Sequence, residues 1–352
     1  MAETLTDYEQ LAADALPQHI YDFVAGGSGS ETTLSRNRAA LDAITLTPRM
    51  LAGVAEPDLS CTLLGLQSTM PVAVAPMAYQ RLLHPEGELL LASAAATAGI
   101  PFVISTLSSF PLEKIAACGP TWFQLYWLRD RALITSLVDR AAEAGCGALL
   151  VTVDVPVMGR RLRDVRNSFA LPPDVVAANI VDMVTEAHSA VPGLSAVAAH
   201  TASAFEPAVS WDDLEWLRRT TQLPLVVKGI LDPRDARRVI DLGADGVVVS
   251  NHGGRQFDGA PASIDALGPV VDAVGNDCTV LLDSGVRSGL DVLRALALGA
   301  SGVLVGRPLL WALAVDAVDE ALGLLRQEVW DAMLLAGCAD LAAVGELTTG
   351  RA

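Results

Sequence analysis

The chain has 352 residues, of which 51 % are apolar and only 18 % are charged, and its formal net charge is −17 at pH 7. This length can bury a large core, and this composition is too apolar for a disordered chain. The negative charge argues against a nucleic-acid-binding protein or one that docks on anionic membranes, because neither partner would meet a basic surface. Small anionic substrates remain compatible with it, since a few local arginines can hold them.

The N-terminus and the cysteines predict a cytoplasmic protein. The first residues, MAETLTDYEQLAADALPQHI, lack the basic and apolar regions of an export signal, and the longest apolar runs are too short for a membrane span. Scattered cysteines without a C-x-x-C spacing are typical of buried, reduced thiols and predict no metal site. The cysteines are Cys61, Cys118, Cys146, Cys278 and Cys338.

Eight short β-branched runs recur along the chain, and segments with a helical spacing of apolar residues lie between most of them. This alternation indicates a parallel sheet covered by helices. Eight units in about 250 residues favour a closed (β/α)8 TIM barrel over an open doubly wound sheet. The runs are MPVAVAPM from residue 70, PFVIS from 101, TWFQLY from 121, GALLVTVD from 147, LPLVVKG from 223, GVVVSNH from 246, CTVLLDSG from 278 and GVLVGRP from 302.

The remaining segments complete a predicted single domain over residues 1–352. Residues 1–69 are expected to form an N-terminal extension with a helix or two, 70–315 the barrel, and 316–352 C-terminal helices. After the fourth strand, the interval 160–220 is far longer than a helical crossover requires. Insertions of this length in a compact domain are typical of lids or binding loops, so we expect one here.

Barrel active sites lie at the carboxyl ends of the strands, and all eight predicted strand ends carry residues suited to binding. Lys228 closes an apolar strand, where a lysine needs a partner or a use. After the last two strands, glycines accompany Arg287 and Arg307, a pattern typical of a phosphate site. Together these ends predict a phosphorylated ring cofactor. They carry Ala75, Pro76, Met77, Ser105, Gln124, Tyr126, Thr152, Asp154, Lys228, Ser250, His252, Asp283, Gly306 and Arg307.

Three long motifs, SNHGGRQFDG, DSGVRSGLDVLRALALGASGVLVGRP and TVDVPVMGRRLRDVRN, carry a resemblance. With them, and over nearly the whole chain, the sequence resembles the FMN-dependent 2-hydroxy-acid oxidases, a family that includes glycolate oxidase, lactate oxidase and mandelate dehydrogenase. The resemblance implies FMN as cofactor and oxidation of a small 2-hydroxy acid to the 2-oxo acid. O2 would be reduced to hydrogen peroxide. It also implies a homo-oligomer, a tetramer.

The resemblance implies roles at the positions that match. His252 would take the 2-hydroxyl proton while hydride passes to the flavin, or abstract the α-proton through a carbanion, with Asp154 orienting it. Arg255 and Arg161 would bind the substrate carboxylate, and Tyr126 would contact that carboxylate or the reacting oxygen. The implied flavin contacts are Ala75, Pro76, Met77, Ser105, Gln124, Thr152, Lys228, Ser250, Asp283, Ser284, Gly285, Val286, Arg287, Gly306 and Arg307.

Three pocket positions bear on the substrate. Phe23 stands where the family usually has tyrosine, Leu107 stands where glycolate oxidase has tryptophan, and Met158 is a flexible apolar wall residue. A larger, less polar pocket favours (S)-mandelate or 4-hydroxymandelate over glycolate or lactate. Phe23 and the stretches VAPMAYQRLLHPEGE and LYWLRDR are similar to those of the 4-hydroxymandelate oxidases that serve antibiotic biosynthesis.

Other functions stay open on the sequence alone. The protein could oxidise smaller or aliphatic hydroxy acids, or be a mandelate dehydrogenase that uses another electron acceptor. A phosphosugar isomerase or aldolase would use Lys228 as a Schiff-base or electrostatic lysine. A non-catalytic flavin-binding protein would bind FMN without turnover. The histidines without a matching constellation are expected to be structural or solvent-facing, and they are His19, His84, His188 and His200.

Overall fold

The computed structural model describes residues 2–180 and 195–352, and within them eight parallel strands close a barrel. Each barrel strand coincides with one of the eight predicted runs to within one residue at its ends or lies inside it, so the (β/α)8 prediction is confirmed. The strands follow one another around the barrel in chain order, and the last pairs with the first. They are β4 (Val72–Val74), β5 (Phe102–Ser105), β6 (Thr121–Tyr126), β7 (Leu149–Thr152), β8 (Leu225–Ile230), β9 (Gly246–Val249), β10 (Thr279–Leu282) and β11 (Gly302–Val305).

The N-terminal extension contains three helices, whereas one or two were predicted. Its helices are α1 (Asp7–Ala15), α2 (Gln18–Ala25) and α3 (Thr32–Asp42). Two small antiparallel sheets lie outside the barrel and were not predicted, because their strands are short and partly polar. One pairs β1 (Ile44–Thr47) with β12 (Thr348–Arg351), and the other pairs β2 (Cys61–Leu63) with β3 (Leu66–Ser68).

Helices pack around the barrel and begin at side-chain caps in several cases. Asp130, Asp232 and Ser288 each accept hydrogen bonds from backbone N–H groups in the first turn of the helix that follows. The outer helices are α4 (Gly87–Ala98), α5 (Leu112–Ala116), α6 (Arg131–Glu143), α10 (Pro233–Asp241), α11 (Ser263–Val274), α12 (Gly289–Ala297), α13 (Arg307–Ala314), α14 (Val318–Ala336) and α15 (Leu341–Gly345).

The predicted insertion lies between β7 and β8 and contains α7 (Leu162–Arg166), α8 (Ala196–Ala204) and α9 (Trp211–Thr220). Residues 181–194 of it, with His188, lie outside the described residues, and its role as a lid stays a prediction. In the described part of the chain, no helix is both long and apolar enough to span a bilayer.

The interior of the barrel is filled by apolar side chains, which confines the polar residues to its carboxyl end. Trp122, Leu150 and Leu281 are fully buried inside the barrel, and Leu63 of the β2–β3 hairpin packs against this inner cluster. The thiols differ from the prediction. Cys146 and Cys338 are buried, whereas Cys61, Cys118 and Cys278 are half-buried, because they lie at element ends rather than in the core.

Candidate active site

A cavity opens at the carboxyl end of the barrel and gathers most of the residues predicted for substrate and cofactor binding. Loops and strand ends from all parts of the barrel contribute to it. The predicted residues that line it are Phe23, Ala75, Pro76, Met77, Leu107, Tyr126, Thr152, Met158, Arg161, Lys228, His252, Arg255, Asp283, Ser284, Gly285, Val286, Arg287, Gly306 and Arg307.

His252 follows β9 and is held between two oxygen groups. Its Nδ1 lies 3.0 Å from Oδ1 of Asp154, and its Nε2 lies 3.4 Å from the hydroxyl of Tyr126. Because a carboxylate only accepts hydrogen bonds, Nδ1 carries the ring proton and Nε2 is the basic atom. Burial lowers the pKa of His252, and the negative charge of Asp154 raises it. Burial has the larger effect and the net pKa is lowered, so the imidazole is neutral near pH 7.

Asp154, just beyond β7, is ionised and is placed by the backbone around it. Burial raises its pKa, but the neighbouring His252 and Lys228 outweigh burial, and the net pKa is lowered. Gly229 on β8 permits the close approach of this carboxylate. Its φ is +106°, and a Cβ there would lie 2.7 Å from Cβ of Asp154. A fixed, charged partner can stabilise His252 when the ring gains a proton.

Lys228 is buried on β8 in an ion pair. Its Nζ lies 2.8 Å from Oδ2 of Asp283 and donates to Oγ of Ser250 at 2.9 Å. Burial lowers the pKa of Lys228, but Asp283 and Asp154 outweigh it and the net pKa is raised. The ammonium therefore stays protonated. Schiff-base formation needs a neutral amine, so this environment disfavours the aldolase alternative.

Four predicted residues lie behind the cavity surface and support the residues that line it. Asp154 holds His252, and Ser250 accepts a hydrogen bond from the His252 backbone N–H as well as from Lys228. Gln124 donates from Nε2 to Oγ1 of Thr152 at 3.0 Å and accepts at Oε1 from Oγ of Ser105 at 3.3 Å. These bonds link the ends of β5, β6 and β7 in a continuous polar chain.

Arg255 and Arg161 bring two cations to the same cavity. Nη1 of Arg255 donates to the carbonyl oxygens of Phe23, Val24 and Gly26 at 2.9–3.1 Å, which anchors one edge of the guanidinium to the end of α2. Burial, with the charges of Arg161 and Arg307, lowers the pKa of Arg255 well below its usual value. Burial also lowers the pKa of Arg161. Two buried cations side by side favour an anionic ligand such as a carboxylate.

Arg287 and Arg307 form a second cationic group beyond the strand ends β10 and β11. Burial lowers the pKa of Arg287 to about 10, and burial with Arg287 and Arg161 nearby lowers that of Arg307 to about 9. Both guanidiniums remain charged at pH 7. Gly253, with φ +65°, allows Arg307 to approach, since a Cβ would lie 2.8 Å from Nη1.

The chemistry of this donor set fits FMN. The guanidiniums of Arg287 and Arg307 suit a phosphate, and the buried ammonium of Lys228 suits a ring that gains negative charge when it accepts electrons. The backbone just after β10 has two successive positive φ values, 77° at Ser284 and 94° at Gly285. Successive residues of this kind leave backbone N–H groups free to face an anion.

The apolar part of the cavity lining, here the apolar wall, consists of Phe23, Tyr79, Leu107, Met158 and Phe205, with Leu82, Leu83 and Val197. It is built from segments outside the barrel strands. The ring of Phe23 stacks on Phe169 with centroids 4.4 Å apart, and Phe205 stacks on Tyr126 at 4.8 Å. The wall therefore offers flat, apolar surfaces to a ligand.

Sequence reasoning missed several lining residues. Tyr79, Leu82 and Leu83 were overlooked, although they lie in the same loop shortly after the predicted Met77. Val197 and Phe205 belong to the long insertion, where no periodic pattern indicates which side chain faces the site. Gln256 also lines the cavity, and its Nε2 donates to the backbone oxygens of Asp154 and Val157, both at 2.8 Å.

Residues 12–349 match the family model described as FMN-dependent dehydrogenase, and the chain belongs to this family. The site is accordingly that of an FMN-dependent 2-hydroxy-acid oxidase, with FMN as its cofactor. The predicted family, fold and cofactor are thus confirmed.

Individual relatives refine the comparison. The chain is 55 % identical to 4-hydroxymandelate oxidase of Amycolatopsis orientalis, over 98 % of both proteins. It is 48 % identical to L-lactate oxidase of a Nostoc species, over 96 % of this chain and 95 % of the relative. A crystal structure of mandelate oxidase with (S)-4-hydroxymandelic acid superposes with a TM-score of 0.97 at 55 % identity and covers 99 % of both chains.

Proposed function

We propose that this protein oxidises an (S)-2-hydroxy acid with an aryl side chain, mandelate or 4-hydroxymandelate, to the corresponding 2-oxo acid. The observation that carries the proposal is the neutral imidazole of His252, paired with the carboxylate of Asp154, in a cavity that is also lined by the apolar wall. A small acid such as glycolate would leave that wall without contacts, whereas an aryl ring would bury it. The similarity to enzymes named for mandelate and 4-hydroxymandelate supports the same substrate class.

The chain's own residues have distinct tasks in this reaction. Arg255 and Arg161 bind the substrate carboxylate, and Tyr126 contacts the carboxylate or the reacting oxygen. This holds C2 beside Nε2 of His252, which takes a proton from the substrate. Asp154 then stabilises the imidazolium. Removal of the hydroxyl proton and removal of the α-proton both leave His252 protonated, so the arrangement serves either route.

FMN, when bound, would supply the electron acceptor for this two-electron oxidation, with O2 as the final oxidant and hydrogen peroxide as the second product. Lys228 keeps a positive charge at the cofactor end of the site, and Arg287 with Arg307 would hold its phosphate. The strand-end residues from Ala75 to Met77 and from Asp283 to Val286 would form the backbone contacts. Ser105, Gln124, Thr152 and Ser250 would support these contacts, and Gly306 leaves room for the cofactor.

Cellular setting and assembly form part of the same proposal. A cytoplasmic homo-oligomer, a tetramer, is supported by the family resemblance, and light scattering of the purified protein measures the mass directly. An oxidase of 4-hydroxymandelate would supply a 4-hydroxyphenyl 2-oxo acid for antibiotic biosynthesis. The whole chain, 1–352, would act as one domain.

An anaerobic flavin-reduction panel tests the substrate class. The purified yellow protein is mixed with glycolate, L-lactate and both enantiomers of mandelate and 4-hydroxymandelate, and loss of flavin absorbance is followed. We expect the (S)-aryl acids to reduce the flavin more than about tenfold faster than glycolate, because burial of a ring contributes a few kcal/mol. Faster reduction by glycolate or lactate would contradict the proposal.

Readmission of O2 distinguishes an oxidase from a dehydrogenase. Rapid return of the yellow colour with stoichiometric hydrogen peroxide is expected of an oxidase. Slow return with O2, but fast return with an artificial electron acceptor, would identify a dehydrogenase instead.

A further inference from the structure

Tyr79 occupies an unusual position in the apolar wall. It follows β4 with a left-handed φ of 57°, which an aromatic residue adopts only where its surroundings enforce it. Its backbone N–H donates to the carbonyl oxygen of Leu107 at 3.1 Å. Its side chain lines the cavity and is almost completely buried, with 1 % exposed.

A buried carboxylate fixes the loop that carries Tyr79. Oε1 of Glu88 accepts from the backbone N–H of Gln80 at 3.1 Å and from that of Ser109 at 2.8 Å. The first of these groups adjoins Tyr79 and the second lies two residues after Leu107. The loops that carry Tyr79 and Leu107 are therefore connected through hydrogen bonds to the same carboxyl group of Glu88.

The hydroxyl of Tyr79 is buried and has no hydrogen-bond partner within residues 2–180 and 195–352. Leu82, Leu83 and Leu107 line the same cavity, and Tyr126 is the titratable group that acts electrostatically on the Tyr79 hydroxyl. The hydroxyl of Thr201, which also lines the cavity, donates its proton to the carbonyl oxygen of Val197 at 2.8 Å. A buried hydroxyl without a partner is unfavourable, and a polar group on a bound ligand would relieve it.

We infer that the Tyr79 hydroxyl binds the para-hydroxyl of the substrate's aromatic ring, so that the pocket selects a 4-hydroxyaryl 2-hydroxy acid over mandelate itself. The inference rests on the proposed function, because it assumes that an aryl acid occupies the cavity. With the carboxylate held at Arg255 and the hydroxyl at His252, the ring lies against Leu107, and the far end of the ring meets Tyr79.

The chemistry of the pair is complementary. A phenol both donates and accepts hydrogen bonds, so either hydroxyl can donate to the other. Burial raises the pKa of Tyr79, so its proton is retained throughout the neutral range. A site with a hydrogen-bonding group in an apolar wall discriminates strongly against the analogue that lacks the hydroxyl.

Tyr79→Phe tests the inference in the FMN-loaded enzyme. The measurement is kcat/KM for (S)-mandelate, (S)-4-fluoromandelate and (S)-4-hydroxymandelate. We expect the ratio of 4-hydroxymandelate to mandelate to fall roughly tenfold, the usual effect of one hydrogen bond, with mandelate and 4-fluoromandelate changed less than about twofold. The Kd of 4-hydroxybenzoylformate, read from the flavin spectrum, should rise by the same factor, and that of benzoylformate should not.

Tyr8→Phe is the matched control, because Tyr8 is also buried but belongs to α1 and does not line the cavity. It should leave the ratio unchanged. An unchanged ratio in Tyr79→Phe, or an equal loss for all three acids, would overturn the role of Tyr79 while leaving the proposed function intact. A wild-type enzyme that oxidises lactate but neither aryl acid would overturn the proposed function, and the inference with it.

Discussion

The two sides of the cavity are built in different ways. The polar side consists of Lys228, His252 and Arg255 at or just beyond barrel strands, each with a hydrogen-bonded partner. The apolar wall comes from α2, from the loops after β4 and β5, and from the insertion between β7 and β8. Its side chains meet through ring stacking and apolar contact, while backbone hydrogen bonds to Glu88 hold the loops behind them. We therefore expect the barrel strands to determine the reaction and the added segments to determine the substrate.

The polar side and the apolar wall also differ in how well they tolerate substitutions. A hydrogen-bonded pair such as His252 and Asp154 requires a particular geometry, and loss of one partner leaves the other buried and unpaired. A wall held by packing accepts side chains of other shapes when their volume is similar. Substitutions on the polar side should therefore abolish chemistry, whereas those in the wall should change which acid is used.

Removal of the base should have the largest effect. In His252→Ala, we expect FMN to remain bound and its reduction by (S)-mandelate to slow by on the order of 10³- to 10⁴-fold, because no group replaces Nε2 as proton acceptor. Stopped-flow absorbance under anaerobic conditions measures this, and the flavin-to-protein ratio is the control. A loss below about tenfold would mean that another residue is the base.

Asp154→Asn should have the next largest effect and should also change the pH profile. We expect kcat/KM to fall on the order of a hundredfold, since the imidazolium loses its partner. Asp154 raises the pKa of His252, so its removal lowers that pKa further. Activity requires neutral His252 and rises with pH through that pKa, so the acidic limb of the profile should move to lower pH. An acidic limb that moves to higher pH would contradict the conclusion that Asp154 raises the pKa of His252.

Leu107→Trp should sharpen the contrast by filling the wall. We expect kcat/KM for (S)-mandelate to fall more than about tenfold, because an indole overlaps the space of the aryl ring, with glycolate little affected. The comparison of the two acids in a steady-state peroxide assay gives the result, and Leu107→Met serves as the volume-matched control. Equal losses for both acids would show a general distortion of the site.

Phe23→Tyr should have the smallest effect. A phenol at this position adds one hydrogen bond near the carboxylate site, so the preference for L-lactate relative to (S)-mandelate should rise about fivefold. Specificity ratios from competition experiments measure it, and Phe257→Tyr, at an exposed position, is the control. If the ratio does not change, Phe23 does not determine specificity.

The polar side could be predicted from the sequence and the wall only in part. Strand ends are predictable because short apolar runs end at Gly or polar residues, and parallel strands bring those ends together. This placed Lys228 and His252. Phe205 could not be predicted, because its position depends on how a long aperiodic insertion folds back onto Tyr126. The third helix of the N-terminal extension was likewise missed.

The hydrogen-bond and ion-pair partners of the site residues were harder to predict than the positions of those residues. The sequence suggests that Lys228 needs a partner, but only the barrel geometry shows that Asp283 and Ser250 supply it. The same holds for Arg255, whose anchoring carbonyl groups lie more than two hundred residues earlier in the chain. Contacts between distant segments carry no local pattern in the sequence.

The buried arginines have a consequence for the amount of folded protein in the cell. At pH 7, Arg287 and Arg307 are charged in the folded chain although burial lowers the pKa of each, so they oppose folding until an anion is bound. A ligand that binds only the folded state shifts the folding equilibrium toward it. The supply of flavin phosphate would then regulate how much of this chain escapes proteolysis, in addition to how much of it is active.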